Sequence, residues 1–290
     1  MIAGFEPFEA EGEGVTIHGV RGGEGPPLLL LHGFPQSHLL WERIAPLLKD
    51  RFTLVMPDLR GYGASGKPAS GPDHAAYSKR AMAADMVRVM AGFGHERFFV
   101  AGHDRGGRVT HRMALDHPER IDRAAVLDIA PTLAMYRSTD ERFARAYWHW
   151  FFLIRPHPLP ERSIAAAPDA YLDAFFGGWG TRPKISEAAM VAYRAAFGDE
   201  EALRAMCEDY RAGAGIDLEH DAADLDRRIA CPLLVLYGGD GVIAQCFDVA
   251  ALWRDRAATL TVRAMPGGHF FVDDHPGATA EALADFFASA

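Results

Sequence analysis

A turn of five residues, Gly102-His103-Asp104-Arg105-Gly106, constrains this chain more than any other feature of its sequence. It follows a predicted strand, Arg97 to Ala101, and precedes a predicted helix, Arg108 to Leu115. Glycine at both ends lets the backbone turn tightly and lets the helix pack close to the strand. A strand, sharp turn and helix in this order expose the central side chain above a sheet, so Asp104 is the candidate nucleophile. The alternative is that Asp104 only caps the helix.

Strand-like and helix-like runs alternate on both sides of this turn. Apolar runs typical of strands cover residues 15–20, 27–31, 52–56, 124–127, 233–237 and 260–262. Apolar residues at three- and four-residue spacing predict a helix over 79–90 with Ser78 as its N-cap, and further helices lie near 249–254 and 278–288. This alternation predicts an α/β fold with a doubly wound, mostly parallel sheet, the α/β-hydrolase fold.

The pattern changes between residues 131 and 220, where strand-like runs vanish and aromatic residues cluster. One cluster covers Tyr147 to Phe152, and a second contains Phe175, Phe176 and Trp179. Helical spacing dominates this segment. We therefore expect a hydrolase core of residues 1–130 and 221–290, into which residues 131–220 insert as a helical cap, or lid.

Charge and composition narrow the partners of the protein. The 290 residues carry a formal net charge of −9, which argues against nucleic acid or an anionic membrane surface as a partner. Apolar stretches are far shorter than the roughly 18 residues of a membrane span, and no basic and apolar leader is visible. Three cysteines, Cys207, Cys231 and Cys246, are odd in number and lack metal-ligand spacing. A cytoplasmic location is expected.

An aspartate at the nucleophile position restricts the chemistry. A serine that attacked a saturated carbon would form an ether, which water does not readily cleave. The carboxylate of Asp104 would instead form an ester on its own side chain, and water can attack the carbonyl of that ester. The residue type therefore predicts displacement at carbon, either dehalogenation or the opening of an epoxide.

The base and the acid of a catalytic triad should follow the nucleophile in the chain. His269 comes after the last predicted strand, in Gly267-Gly268-His269-Phe270, and is the candidate base. Two aspartates are candidates for the acid, because Asp128 ends the strand after the turn helix and Asp240 follows the next long strand. Asp128 is favoured, and Asp240 stays open.

Donors and positive charges are expected around the nucleophile. The backbone N–H groups of Arg105 and of Phe34, in the loop after residues 27–31, are the candidate oxyanion hole. The side chains of Arg105 and Arg108 are three residues apart at the start of the helix, so both project onto one face. Two guanidinium groups beside a helix N-terminus suit a carboxylate, which predicts a small anionic substrate.

A leaving halide needs hydrogen-bond donors in an otherwise apolar pocket. His149 and Trp150 in the predicted lid, and Tyr210 further along it, carry imidazole, indole and phenol donors. From composition alone, these three residues could equally be lid core.

Three groups of residues carry a resemblance to a known family: Gly102-His103-Asp104-Arg105 with Arg108, the pair His149-Trp150, and the run Met206 to Gly213. With them the chain resembles the fluoroacetate (haloacetate) dehalogenases over nearly its whole length. Trp148 departs from the pattern, since a tyrosine is expected beside the His-Trp pair.

The resemblance implies a role for each candidate residue and a cofactor-independent, homodimeric enzyme that acts on a small haloacid. The implied roles are Asp104 as nucleophile, His269 as base, Asp128 as acid, Arg105 and Arg108 as carboxylate ligands, His149, Trp150 and Tyr210 as halide ligands, and Trp179 as a pocket wall. No metal or organic cofactor is implied.

Two other functions fit parts of the sequence. An epoxide hydrolase shares the aspartate nucleophile and the lid, and lid tyrosines would protonate its substrate, but a neutral epoxide makes poor use of two arginines. A non-catalytic small-molecule receptor could dispense with Asp104 or His269, whereas here every triad role has a candidate.

Overall fold

The computed structural model describes residues 2–178 and 183–288 of the chain. Within these ranges eight strands form a single sheet. Their bounds are Glu6–Glu11 (β1), Thr16–Gly22 (β2), Pro27–Leu31 (β3), Thr53–Pro57 (β4), Phe98–His103 (β5), Ile121–Leu127 (β6), Leu233–Gly238 (β7) and Leu260–Met265 (β8).

The strands follow the order β1-β2-β4-β3-β5-β6-β7-β8 across the sheet. The pairs β1–β2 and β2–β4 are antiparallel, and every later pair is parallel. The predicted doubly wound, mostly parallel sheet is therefore confirmed. Strand β1 is missing from the sequence prediction, because it alternates glutamates with small or aromatic residues and lies largely exposed at the edge of the sheet.

Strand β3 shows why a continuous apolar run marks the centre of such a sheet. Leu28 and Leu30 belong to the core on one face, and Leu29 and Leu31 to the core on the other, each with 0% of its surface exposed. Side chains alternate across a strand, so a sheet covered on both faces needs apolar residues at every position. The predicted bounds of this strand match the structure at both ends.

Fifteen α-helices lie in the described ranges. They are Ala45–Leu48 (α1), Lys79–Gly92 (α2), Arg105–Asp116 (α3), Thr132–Arg137 (α4), Glu141–Ala146 (α5), Trp148–Leu153 (α6), Leu159–Ala166 (α7), Pro168–Gly177 (α8), Glu187–Phe197 (α9), Glu200–Ala214 (α10), Ile216–Ala223 (α11), Val242–Cys246 (α12), Val249–Arg254 (α13), Phe271–Asp274 (α14) and Pro276–Ala288 (α15). Helix α2 begins where the sequence predicts, and the side chain of Ser78 accepts a hydrogen bond from the N–H of Ala81 at 3.2 Å.

Helices α4 to α11 all lie between β6 and β7 in the chain, and no strand occurs in residues 128–178 or 183–232. This helical run contains the residues expected in the lid. The domain limits at residues 131 and 220 stay a prediction. In the part of the chain that the structure describes, no helix combines the length and the apolar character needed to cross a membrane.

Candidate active site

The turn around Asp104 joins the end of β5 to the start of α3. Asp104 has φ 48° and ψ −114°, a backbone conformation that a side chain rarely adopts. The surrounding structure imposes it, because helix α3 lies very close to strand β5. A Cβ atom on Gly102 would lie 2.3 Å from the carbonyl oxygen of Gly106, so only glycine fits there. The strained turn raises the carboxylate of Asp104 to the carboxyl edge of the sheet.

The two carboxylate oxygens of Asp104 face different partners. Oδ1 accepts a hydrogen bond from the backbone N–H of Phe34 at 2.9 Å. Oδ2 lies 4.0 Å from Nε2 of His269. The backbone N–H of Arg105 belongs to the first turn of α3, where no intrahelical acceptor exists for it. The carboxylate therefore lies between the predicted oxyanion donors and the predicted base.

Burial alone would raise the pKa of Asp104, since its carboxylate is almost fully removed from water. The positive charges of His269, Arg108 and Arg105 outweigh this effect and hold the pKa below its usual value. Asp104 is therefore ionised at neutral pH, as a carboxylate nucleophile must be.

His269 is hydrogen-bonded to Asp128, with 2.6 Å between Nδ1 and Oδ2. The other oxygen of Asp128 accepts from the N–H of Gly238 at 2.8 Å. Burial lowers the pKa of His269, but the hydrogen bond and the charge of Asp128, with the charge of Asp104, raise it above its usual value overall. Asp128 thus orients the ring and stabilises its protonated form.

Asp240, the other candidate acid, lies in a different place. Its side chain is exposed and accepts a hydrogen bond from the N–H of Gly267 at 3.1 Å. It therefore shapes the turn that precedes His269. Of the two aspartates, the structure brings Asp128 and not Asp240 to the imidazole.

His103 supports the loop that carries His269. It is fully buried, and its Nε2 lies 2.8 Å from the carbonyl oxygen of His269. Burial lowers the pKa of His103 to about 4, so the ring is neutral and Nε2 donates its proton to that carbonyl. The residue points into the fold and is not part of the described cavity lining.

Arg105 is buried and is held by the lid helix α10. Its Nε and Nη2 donate to Asp209 Oδ2 at 3.0 Å and Oδ1 at 2.6 Å, and Nη2 also donates to the backbone oxygen of Asp209 at 2.7 Å. The guanidinium carbon lies 4.4 Å from the centre of the Tyr210 ring. Asp209 also forms an ion pair with Lys79 and accepts a hydrogen bond from the hydroxyl of Tyr62. Within the described residues, Nη1 of Arg105 has no hydrogen-bond partner.

Arg108 lies on the same side of α3 and is also buried. Its Nη1 donates to the backbone oxygen of Ala130 at 3.1 Å and to Thr132 Oγ1 at 2.8 Å. Its guanidinium carbon lies 4.6 Å from the ring of Trp150. The Nε atom is buried and has no hydrogen-bond partner among the described residues. Burial lowers the pKa of Arg108, and the charge of Arg105 lowers it further, so a bound anion would stabilise the charged form of Arg108.

A small cavity lies in front of Asp104. Its described lining consists of Phe34, Pro35, Asp104, His149, Phe175, Tyr210 and His269. Arg105, Arg108 and Trp150 are not part of that described lining. They lie behind it, where Arg105 packs on the ring of Tyr210 and Arg108 packs on the ring of Trp150 in α6. No motif in the sequence indicates Phe175 or Pro35 as wall residues, although Phe175 belongs to the second aromatic cluster.

Hydrogen-bond donors lie in the cavity lining and behind it. The hydroxyl of Tyr210, in the lining, and Nε1 of Trp150, behind it, make no hydrogen bond to any described residue, although both side chains are almost fully buried. Burial lowers the pKa of His149 to about 3, so its ring is neutral and carries one N–H. His149 stacks on Phe34, with ring centres 6.4 Å apart. Trp179, predicted as a pocket wall, lies outside the described residues.

Comparisons with known proteins place this geometry in context. A family model described as "alpha/beta hydrolase fold" matches residues 26–276. The chain is 48% identical to a fluoroacetate dehalogenase from Burkholderia sp. over 292 residues, which cover all of this chain and 96% of that protein. It is 30% identical to a soluble epoxide hydrolase from Corynebacterium sp. (strain C12), across 95% of this chain and 94% of the relative.

A solved structure shows the same architecture. The crystal structure of an alpha/beta hydrolase from Nostoc sp PCC 7120 matches with a TM-score of 0.98 and 49% identity, and it covers 100% of both chains.

Proposed function

The chain belongs to the fluoroacetate dehalogenase family of α/β-hydrolases, and we propose that it hydrolyses the carbon–halogen bond of a small 2-haloacid through an ester of Asp104. One observation carries the proposal. An ionised aspartate stands at the nucleophile position, with one oxygen on the Phe34 N–H and the other 4.0 Å from an imidazole that is bonded to Asp128. This arrangement suits displacement at carbon followed by hydrolysis of the resulting ester.

In the first step, the substrate carboxylate binds beside Arg105 and Arg108. It takes N–H groups that bond no described residue, namely Nε of Arg108 and Nη1 of Arg105, whose Nε and Nη2 are held by Asp209. Asp104 Oδ2 then attacks the carbon that bears the halogen, in line with the bond that breaks. The halide leaves toward His149 and Tyr210 in the cavity lining, and Trp150 behind them is the third proposed donor; the polar hydrogens of these groups stabilise its charge. Neighbouring cations keep Asp104 ionised for this attack.

In the second step, His269 removes a proton from a water molecule that attacks the side-chain carbonyl of the Asp104 ester. The gap of 4.0 Å between His269 and Asp104 is too long for a hydrogen bond, so a water between them is the natural bridge. The N–H groups of Phe34 and Arg105 stabilise the oxyanion, and the ester breaks to give the 2-hydroxy acid. Asp128 stabilises the protonated imidazole.

The small cavity supports a short substrate. Seven described residues line it, and all seven are buried, which leaves little room for a long substrate. Phe34, Phe175 and Tyr210 form three of its walls. We therefore assign a haloacetate, such as fluoroacetate or chloroacetate, as the substrate class, with glycolate as the product.

A His269→Asn variant tests both steps together. It should release halide once from chloroacetate and then stop, because the ester on Asp104 no longer hydrolyses. Mass spectrometry of the intact protein and of its peptides should show a carboxymethyl group on Asp104. A His18→Asn variant is the matched control, since His18 lies on strand β2, away from the site, and should keep full turnover.

Single-turnover hydrolysis in water enriched in heavy oxygen is a second measurement. Since water attacks the side-chain carbonyl, the heavy atom should enter Asp104 and not the first molecule of glycolate. Label that appears in the first product, or a His269→Asn protein with unmodified Asp104, would contradict the ester mechanism.

A further inference from the structure

The hydroxyl of Tyr210 can donate a proton, and the hydrolysis of a haloacid does not require a proton donor. A halide leaves as a stable anion and needs hydrogen bonds but no proton. Tyr210 brings an acidic O–H to the same cavity as Asp104, and that O–H has no acceptor among the described residues. An oxygen leaving group, in contrast, departs as a basic alkoxide and does need a proton.

We propose that this site also hydrolyses a small 2,3-epoxy acid to the 2,3-dihydroxy acid, with Tyr210 as the proton donor to the epoxide oxygen. The simplest member of this class is oxirane-2-carboxylate (glycidate), whose product is glycerate. The inference rests on the proposed roles of Asp104 and the two arginines, and it extends them to a second leaving group.

The two substrate classes present the same atoms to the enzyme. In both, the carbon next to the carboxylate bears the bond that breaks. The charges of Arg105 and Arg108 act on Asp104, so a carboxylate held at the two arginines would present that carbon to Asp104 in either case. The epoxide oxygen then takes the place of the halogen, on the side of His149 and Tyr210. Glycidate has only one carbon more than a haloacetate, so it demands little more room beside Asp104.

The atoms balance over two steps. Asp104 Oδ2 forms a bond to C2, the C2–O bond of the ring breaks, and the alkoxide on C3 takes the proton of Tyr210. Water then attacks the Asp104 carbonyl with His269 as the base. One proton of that water ends on the new C2 hydroxyl, and the other returns to the phenolate of Tyr210. No proton is released overall, whereas haloacid hydrolysis releases one with each halide.

The surroundings of Tyr210 suit a group that holds its proton until the epoxide opens. An alkoxide is about as basic as hydroxide, whose conjugate acid has a pKa of about 15.7. Burial raises the pKa of Tyr210, which keeps the hydroxyl protonated until the ring opens. The Arg105 guanidinium, 4.4 Å from the ring centre, then stabilises the phenolate while it exists.

The buried arginines select acidic epoxides over neutral ones. A neutral epoxide leaves Nε of Arg108, and Nη1 of Arg105 beyond the two nitrogens that Asp209 holds, without an anion, so it gains no charge-assisted hydrogen bonds. Sites built around such polar groups reject a substrate that lacks the matching group by large factors. The structure therefore favours the epoxy acid as the second substrate, rather than a simple alkyl epoxide.

The experiment compares glycidate, chloroacetate and propylene oxide, which carries a methyl group in place of the carboxylate. We expect glycerate from glycidate, detected by mass spectrometry, and a kcat/KM at least about 100-fold lower for propylene oxide. In weakly buffered solution, chloroacetate should acidify the medium and glycidate should not.

A Tyr210→Phe variant isolates the proton donor. It should lower turnover of glycidate by about 100-fold or more, the usual contribution of a general acid. It should lower turnover of chloroacetate by only about 10-fold, because chloride loses one hydrogen bond and no proton. A Tyr171→Phe variant is the matched control, since Tyr171 stacks on Phe152 in the lid and has no assigned role.

Different failures separate this inference from the proposed function. Turnover of chloroacetate without glycerate overturns the inference and leaves the dehalogenase proposal standing. Alkylation of Asp104 by glycidate without release of glycerate also overturns it. Equal losses for both substrates in Tyr210→Phe refute the part assigned to Tyr210. If neither substrate reacts, the dehalogenase proposal fails as well.

Discussion

Replacement of Asp209 by asparagine should reveal how much the contact between helices α10 and α3 contributes to stability. Asp209 is 0% exposed and accepts hydrogen bonds from Arg105 at 2.6 and 3.0 Å and from Tyr62 at 2.7 Å, and it pairs with Lys79. Burial raises its pKa, but Arg105 and Lys79 lower it far more, so it is ionised. Asparagine keeps the size of the side chain but leaves two buried cations with one anion fewer.

The cost follows from that loss. Removal of one partner of a buried ion pair costs about 3–5 kcal/mol, because the remaining charge stays buried without compensation. Since each kcal/mol lowers the Tm of a protein of this size by roughly 2 °C, Asp209→Asn should melt about 6 °C or more below the wild type. Its KM for the haloacid should also rise, because Arg105 loses the group that fixes its position.

Urea unfolding and calorimetry measure the stability change. Asp240→Asn is the control, because the side chain of Asp240 is exposed and accepts one hydrogen bond from a backbone N–H. The free energy of unfolding of this variant should stay within about 0.5 kcal/mol of the wild type. Lys79→Met combined with Asp209→Asn removes the surplus cation and should restore about 1 kcal/mol or more, relative to the sum of the single changes. A loss below about 1 kcal/mol for Asp209→Asn, or strict additivity in the double variant, would refute the reasoning.

Two further predictions concern pH. Asp128→Asn removes the charge that raises the pKa of His269, so the acidic limb of the kcat/KM profile should move to lower pH and the plateau should fall by about 100-fold or more; an unmoved limb would contradict the pairing. Asp273 has a pKa raised to about 8, mainly by burial, so the folded protein holds a proton there that the unfolded chain loses above 3.8. Stability should therefore fall between these pH values by up to about 1.4 kcal/mol per unit, and Asp273→Asn should remove this slope in urea titrations; equal slopes in both proteins would count against it.

Local patterns were enough to predict the centre of the molecule. Residues 27–31 are apolar at every position, which only a strand buried on both faces requires, and the strand has those bounds. The turn at Asp104 combines a strand, closely spaced glycines and a helix within a few residues. Strand β1 escaped prediction because an exposed edge strand needs no apolar face.

Contacts between distant residues could not be predicted. Asp128 and Asp240 both follow parallel strands that end at the same edge of the sheet, and nothing in the sequence shows which one reaches His269. Asp128 adopts a left-handed φ of 53° and turns its carboxylate to the imidazole. Helical spacing likewise indicates that Arg105 and Arg108 share a face. It does not reveal that Arg105 is paired with Asp209, which is 104 residues away.

The adjacency of Asp209 and Tyr210 on α10 has a consequence for how substrate enters. The same helix supplies the counter-ion of Arg105 and a wall of the cavity. An outward rigid-body motion of the lid would separate Asp209 from Arg105. Buried charges would then lose their partners, which is costly. We therefore expect α10 to stay docked during turnover. We then expect small acids to enter past side chains that change rotamer, such as Phe175. A larger side chain at this entrance should lower the rate of substrate entry and leave the chemical steps unchanged.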